Sequence, residues 1–363
     1  MERRTLGRSG LKVSVLGLGT GQFGSFGQTR RADCVRMAHA AFDGGINLID
    51  TADFYSFGEA ETITGAAIEG RRDKVIVASK FGMPMSDDVN ERGGSRRWIM
   101  ASVEASLKRL GTDYIDIYQL HAPDYDTDLE ETLGAMSDLV RAGKIRYFGT
   151  SNSTGMRIAE AALKARLAGL IAPHAEQQSY SMFVRAPEAE VLPAAQAYGA
   201  GVLAYSPLDG GWLSGKYRKG KRVEKSPRHR LQPEKFDTAT ETNLRRLEKV
   251  EALASVADEA GIDLPRMAVG FVLAHPAVST ALIGGTRLHH IEHHLNGVAT
   301  LSDDVLDRID EIAPPGESLM PGGHAFSELQ DKTLRRRRTD TTSATPTAGV
   351  DYIRRTVTEE QPG

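Results

Sequence analysis

Short runs rich in β-branched residues alternate with longer stretches whose apolar residues recur every three to four positions, from the N-terminus to about residue 313. The runs that predict strands are Val13 to Gly19, Ile46 to Asp50, Lys74 to Lys80, Tyr114 to His121, Ile145 to Ser151, His174 to Gln178, Gly201 to Ser206 and Ser279 to Gly285. Between them lie helical patterns such as ASVEASLKRL, or LEETLGAMSDLVRAG with Leu129, Leu133, Met136 and Val140 on one face. Gly44, Gly111, Gly143 and Gly199 each follow such a run and precede a strand, the place where a left-handed glycine ends a helix. Alternating strands and helices imply a parallel sheet, and eight units over about 270 residues predict a (β/α)8 TIM barrel rather than a doubly wound sheet.

Two segments fall outside this repeat. Residues 3–12 read as a hairpin turning at Gly7-Arg8-Ser9-Gly10, and residues 213–240 form a long polar insertion after the seventh strand. Insertions of that length are usually functional or disordered. From about Pro314 the composition changes to PPGESLMPGG, four arginines (Arg335 to Arg338) and TDTTSATPTAG. The expected organisation is a barrel over residues 1–313 and a flexible extension over residues 314–363.

Composition narrows the class. Lys+Arg 45 against Asp+Glu 48 gives a net charge of −3, which argues against general nucleic-acid affinity. Cys34 is the single cysteine, so intrachain disulfides and multi-cysteine zinc sites are excluded. No apolar run approaches the roughly 20 residues that cross a bilayer. MERRTLGRSGLKVSV lacks the apolar stretch of a secretory signal, so a reduced, soluble, cytoplasmic protein is expected, its oligomeric state unread.

Polar residues gather where the predicted strands end: Asp50, Lys80, His121, Ser151 with Asn152, Gln177, and Tyr205 with Ser206. Each has an ordinary reading alone; Asp50 could cap a turn, Lys80 could be a surface lysine, His121 a core histidine. As a set they match the rule that barrel chemistry is assembled from the C-terminal ends of different strands.

The segments IDTADFYSFGEAE, SLKRLGTDYIDIYQLHAPD, KIRYFGTSN, AEQQSYS and AYSPLDGGWLSGKY, in this order, resemble the aldo-keto reductase superfamily, and the likeness runs from about Arg3 to Ala313. The resemblance implies reversible reduction of an aldehyde or ketone by NADPH, yielding NADP+. It also implies a catalytic tetrad at Asp50, Tyr55, Lys80 and His121. A free tyrosine holds its proton to about pH 10. A lysine ammonium beside Tyr55 would lower that value and Asp50 would keep the lysine charged, while His121 would orient the carbonyl oxygen.

By the same resemblance Ser151, Asn152 and Gln177 would hold the nicotinamide carboxamide, and Tyr205 would carry the ring; its alternative is a core-filling aromatic. Ser206, Pro207, Leu208 and Gly210, with Lys216, would take the diphosphate, joined by one arginine among Arg222, Arg228 and Arg230. The early turn Gly19-Thr20-Gly21 is a candidate cofactor contact but not a Rossmann fingerprint. After the eighth strand Gly284 and Thr286 match the family's turn, and Arg287 is the natural partner of a 2′-phosphate. His290, His293 and His294 stand where the family has Gln, Glu and Asn, and protonated histidines there would add positive charge. The His290 and His294 spacing also allows a metal reading, but no metal is expected.

Phe23, Phe54, Phe57, Trp98 and Trp212 are the aromatic candidates for a substrate pocket, and the particular carbonyl is not legible. Two competing readings remain: a non-catalytic nucleotide-binding regulatory subunit on the same barrel, and an interaction protein working through the arginine-rich tail.

Overall fold

In the computed structural model, which describes residues 1–223 and 225–319, a two-stranded antiparallel hairpin precedes a closed barrel of eight parallel strands. The hairpin is β1 (Arg3–Thr5) and β2 (Lys12–Ser14). The barrel strands are β3 (Leu16–Gly19), β4 (Leu48–Asp50), β5 (Ile76–Phe81), β6 (Ile115–Leu120), β7 (Ile145–Ser151), β8 (Ala175–Ser179), β9 (Gly201–Tyr205) and β10 (Val278–Ile283), with β10 pairing back onto β3. The helices are α1 (Arg31–Asp43), α2 (Glu59–Ile68), α3 (Arg96–Leu110), α4 (Leu129–Arg141), α5 (Gly155–Leu167), α6 (Val191–Tyr198), α7 (Pro227–Leu231), α8 (Pro233–Phe236), α9 (Glu241–Glu259), α10 (Leu264–Ala274), α11 (Leu288–Leu295) and α12 (Asp303–Ile312).

The TIM-barrel expectation holds, with two local differences. The apolar run from Val13 to Gly19 divides: Val13 and Ser14 belong to the hairpin and only Leu16–Gly19 enters the barrel. Gly111, Gly143 and Gly199 take positive φ after α3, α4 and α6, but after α1 it is Gly45 (φ 94°) that does so. Gly44 instead admits Leu295, whose side chain lies where a Cβ would sit.

Alternation along the strands positions the site. Inward residues low in the barrel are apolar: Leu48, Ile76, Ala78, Ile117, Ala175 and Leu203 form one cluster with Leu6 and Val13 of the hairpin. Two residues further along the same strands the inward positions become polar, giving Lys80 after Ala78, Gln119 after Ile117, Gln177 after Ala175 and Tyr205 after Leu203. One end of the barrel is thus sealed by a hydrophobic hairpin and the other carries polar groups. Outward residues such as Val77, Tyr118 and Val202 pack beneath the helices.

The insertion after β9 is folded rather than a bare loop. Trp212 is fully buried; its indole stacks on Tyr217 at 4.2 Å and donates to the Lys235 carbonyl at 3.1 Å. His229 stacks on Phe236 at 4.6 Å. Asp209, itself buried, draws in Lys235 (3.0 Å) and Arg246 (3.6 Å). Residues 314–319, assigned to the extension in the sequence reading, lie against the barrel: Arg185 donates its backbone N–H to the Glu317 carbonyl at 2.8 Å, and Leu319 donates to Phe183 at 3.0 Å. The arginine run lies outside the described residues.

Candidate active site

Asp50 ends β4, Lys80 lies near the end of β5, and His121 follows β6 directly. Strand pairing sets Asp50 beside Ala78 and Lys80 beside Gln119. Lys80 is fully buried, and its ammonium donates to Asp50 Oδ1 (2.6 Å), the Thr51 carbonyl (2.8 Å) and Tyr55 Oη (3.2 Å). Tyr55 comes from the turn between β4 and α2, where Ser56 (φ 49°) and Phe57 (φ 50°) adopt left-handed backbone. Such conformations cost free energy in non-glycine residues and recur at functional sites. The Tyr55 and His121 rings meet edge to face with centroids 5.6 Å apart.

The electrostatics refine the expected chemistry. Burial pushes the Tyr55 phenol above its ordinary value, and Lys80 opposes that rise without reversing it. Burial alone would lower Lys80, but Asp50 and Tyr55 outweigh it and hold the ammonium above its usual range. The expectation that Lys80 brings the tyrosine below its free value is therefore corrected, because desolvation is the larger effect. Tyr55 keeps its proton at neutral pH. Burial, helped by the Lys80 charge, drives His121 well below the usual histidine range, so its ring is neutral and offers hydrogen bonds rather than a charge.

A second polar network borders this one. Gln177 donates to Asp50 Oδ2 at 2.8 Å, and so does Gln119 at 3.4 Å. Asn152 (φ 60°) donates from Nδ2 to the His121 carbonyl (2.9 Å) and to Ser151 Oγ (3.0 Å), and its Oδ1 accepts from the Tyr205 hydroxyl at 2.8 Å. Ser151 Oγ donates to the Gln177 carbonyl at 2.9 Å. Thr20 donates from both its N–H and its hydroxyl to the Asp50 carbonyl (2.9 and 3.0 Å). Gly21 faces the Tyr55 ring, and a Cβ at Gly284 would come within 2.9 Å of the Gly19 carbonyl, so β3 and β10 approach closely there. Gln119 was not among the sequence candidates, although its two-residue spacing from His121 places both on one strand face.

Beyond β9 the chain passes through left-handed backbone at Ser206 (φ 56°), Asp209 (46°), Gly210 (70°) and Gly211 (107°), with Pro207 and Leu208 between them. The Lys216 ammonium lies over Gly211, 3.3 Å from where a Cβ would stand. Across from it Arg287 precedes α11 and Thr286 is half-buried. Burial first, and then neighbouring His289, Arg287 and Lys216, push His290 down to about 4. Burial likewise pushes His294 down to about 4, and His293 pairs with Asp263 at 3.2 Å. The expected positive charge from histidines is corrected accordingly: His290 and His294 are neutral at neutral pH, and Lys216 and Arg287 supply the charge. His294 is buried, not on an exposed flank. Among the described residues no cluster of three or more His, Cys, Asp or Glu could hold a metal ion, and no helix is long and apolar enough to cross a membrane.

The aromatic candidates separate into two groups. Phe54 and Phe57 pack edge to face with Phe26 at 5.7 to 5.9 Å, and Phe54 lies 6.4 Å from the His121 ring. Leu231 of the insertion and Met83 join Phe26 and Phe54 in a cluster touching Tyr55. Phe23 and Trp212 instead are buried in the main core, and half-buried Trp98 packs against it from α3. Phe26, Met83 and Leu231 lie outside the quoted motifs and carry no chemical signal, so only folding identifies them.

A family model described as "Aldo/keto reductase family" matches residues 15–314. The chain belongs to the aldo/keto reductase family. It is 35% identical over 348 residues to "Uncharacterized oxidoreductase YrpG" of Bacillus subtilis (strain 168), covering 90% of this chain and 100% of that protein. It is 36% identical over 324 residues to "Probable voltage-gated potassium channel subunit beta" of Arabidopsis thaliana, and 34% identical over 322 residues to a protein of that description from Oryza sativa subsp. japonica. Each of these two alignments covers 86% of this chain and 96% of the relative. As an aldo/keto reductase-family oxidoreductase, the protein has its polar residues at the barrel end where the family fold carries chemistry.

Proposed function

We propose that this protein reduces an aldehyde or ketone to an alcohol with NADPH, reversibly, and that Tyr55 delivers the proton. The observation that carries this reading is the buried chain Asp50–Lys80–Tyr55, with spacings of 2.6 and 3.2 Å and neutral His121 against the phenol. Tyr55 holds its proton until the carbonyl oxygen gains negative charge, then transfers it from Oη. The Lys80 ammonium stabilises the phenolate left behind, and Asp50 keeps that ammonium charged and in place. His121 donates a hydrogen bond that orients the carbonyl oxygen. The cluster of Phe26, Phe54, Met83 and Leu231 gives the carbonyl substrate an apolar wall.

The residues fit a phosphorylated nicotinamide cofactor. Left-handed backbone at Ser206, Asp209, Gly210 and Gly211 shapes the turn that would receive an anion, and Lys216 adds a cation. Arg287 would take a further phosphate, which a guanidinium binds in a bidentate manner. Ser151, Asn152 and Gln177 offer donors and acceptors to a carboxamide, and Tyr205 a ring face. When bound, the cofactor would supply the hydride.

The test is NADPH consumption over a panel of sugars, quinones, steroids and simple aldehydes, in wild type and Tyr55→Phe. Wild type should turn over at least one class, and the variant should lose about 10²–10⁴ in kcat with NADPH affinity nearly intact. Near-normal turnover in the variant removes Tyr55 as the acid. NADPH binding without turnover of any carbonyl would favour the second reading, a nucleotide-binding regulatory subunit, a reading supported by the likeness to the two plant proteins named as probable channel beta subunits.

A further inference from the structure

Glu176 takes no part in the chemistry above, yet it is fully buried on β8, one residue before Gln177. Its two carboxyl oxygens are used on two sides of one turn. Oε2 accepts from Thr150 Oγ1 at 2.5 Å, and Oε1 accepts from the Ser153 backbone N–H at 2.9 Å. Between these anchors lie Ser151 and Asn152, and Asn152 has left-handed backbone at φ 60°. Inside the barrel the same turn is held by neighbouring groups: the Gln177 carbonyl accepts from the Asn152 N–H at 2.9 Å, and the Tyr205 hydroxyl donates to Asn152 Oδ1 at 2.8 Å. The inner bonds tie Asn152 to the site. The outer pair ties the ends of the turn to a single buried carboxyl.

Burying an acid this way is costly unless its bonds return something. Burial pushes Glu176 up to about 7, and the bonds from Thr150 and Ser153 pull the other way. A cavity of about 10 Å³ beside it, with room for no more than one water, is walled by Ile158 and Ala162 of α5 and Tyr198 of α6. No other charged side chain lines it. Among the described residues the Tyr205 phenol on β9 is the other titratable group within electrostatic reach. Among the described residues no cation pairs with this carboxyl, and its hydrogen bonds there go only to the Asn152 turn.

We infer that Glu176 is a positioning residue: it clamps Thr150 to Ser153 and thereby fixes Ser151 and Asn152 in the geometry that receives the cofactor's carboxamide. The inference rests on the cofactor assignment made for Asn152 above. It acts on binding through Asn152, not on proton transfer at Tyr55.

The test is direct titration of NADPH by fluorescence or calorimetry on the full chain, with thermal unfolding of the free protein recorded alongside. Glu176→Ala should weaken NADPH binding about tenfold, the equivalent of one lost hydrogen bond. Glu176→Gln, which can still accept from Ser153 and reach Thr150, should stay within about threefold of wild type. The deciding comparison is a double-mutant cycle. With Asn152 replaced by alanine, adding Glu176→Ala should change the Kd less than about twofold. Losses that multiply in the double variant, or wild-type affinity in Glu176→Ala, would overturn the inference while leaving Asn152 as a cofactor ligand. Wild-type affinity in Asn152→Ala alone would overturn the ligand assignment and this inference with it. Should Glu176→Ala fail to fold, Thr150→Val removes one end of the clamp and should weaken binding at least threefold; unchanged affinity there counts against the clamp.

Discussion

Replacing Lys80 with methionine tests the centre of the proposed chemistry. The substitution keeps an unbranched apolar stem of similar length and deletes the ammonium that bonds Asp50, Thr51 and Tyr55. Lys80 is 0% and Asp50 2% exposed, so the variant leaves a buried carboxylate without its cation. Breaking a buried pair by removing one partner costs about 3–5 kcal/mol. Asp50 retains the Gln177 and Gln119 amides at 2.8 and 3.4 Å, which puts the expected loss near the lower figure. Against a total stability of about 5–15 kcal/mol, the variant should still fold.

The chemical effect adds to this. A hydrogen bond to a charged group contributes about 1.5–3 kcal/mol, and each pKa unit is about 1.36 kcal/mol. Removing Lys80 should therefore raise the Tyr55 phenol by a further one to two units, roughly, and make it a poorer acid. Steady-state kcat for carbonyl reduction should fall about 10- to 100-fold, and the high-pH limb of the profile should move up by the same one to two units. Alcohol oxidation, which needs the phenolate, should suffer more. Circular dichroism and thermal unfolding separate this from misfolding. A folded variant with the wild-type rate and pH profile would refute the reasoning.

Three other outcomes are expected. Wild type should prefer NADPH over NADH by at least about tenfold in kcat/KM, and Arg287→Ala should bring the ratio toward unity; equal use of NADH by wild type, or an unchanged ratio in the variant, would remove Arg287 from the reading. Because Glu176 titrates near 7 when folded against 4.5 otherwise, the folded state holds its proton longer, so stability should fall as pH rises from about 4.5 to 7. The loss amounts to about 3 kcal/mol. Glu176→Gln should flatten that part of the stability profile measured by urea unfolding, and an unaltered slope would show that Glu176 ionises normally. Trp212→Ala should cost about 3–5 kcal/mol and lower Tm by several degrees, since the indole is core and not a substrate contact; an unmoved Tm would contradict its burial.

Much of this protein is decided locally. Two-residue alternation in IVASK and IDIYQLH places Lys80, Gln119 and His121 on inward faces, and eight repeats of strand and helix leave a closed parallel barrel as the natural architecture. Asp50, Lys80 and His121 were legible because polar residues at the ends of apolar strands stand out, whereas Tyr55, in a turn, was legible only because its motif resembles a known family. Other features depend on neighbours remote in sequence. Glu176 and Asp50 are both acids at strands, yet Asp50 faces an ammonium while Glu176 faces a hydroxyl and an amide. Lys80 was expected to dominate the Tyr55 proton, but only the closed structure reveals how fully the phenol is desolvated. Trp212 and Phe54 have equal claims to a pocket as sequence; packing sends one into the core beneath the insertion and the other beside His121. His290 looks cationic until burial, with Arg287 and Lys216 nearby, makes a further charge unfavourable. Periodicity reports which face a residue occupies, because that depends on its immediate neighbours in the chain. Burial depth and charge depend on segments up to hundreds of residues away, which meet only when the barrel closes.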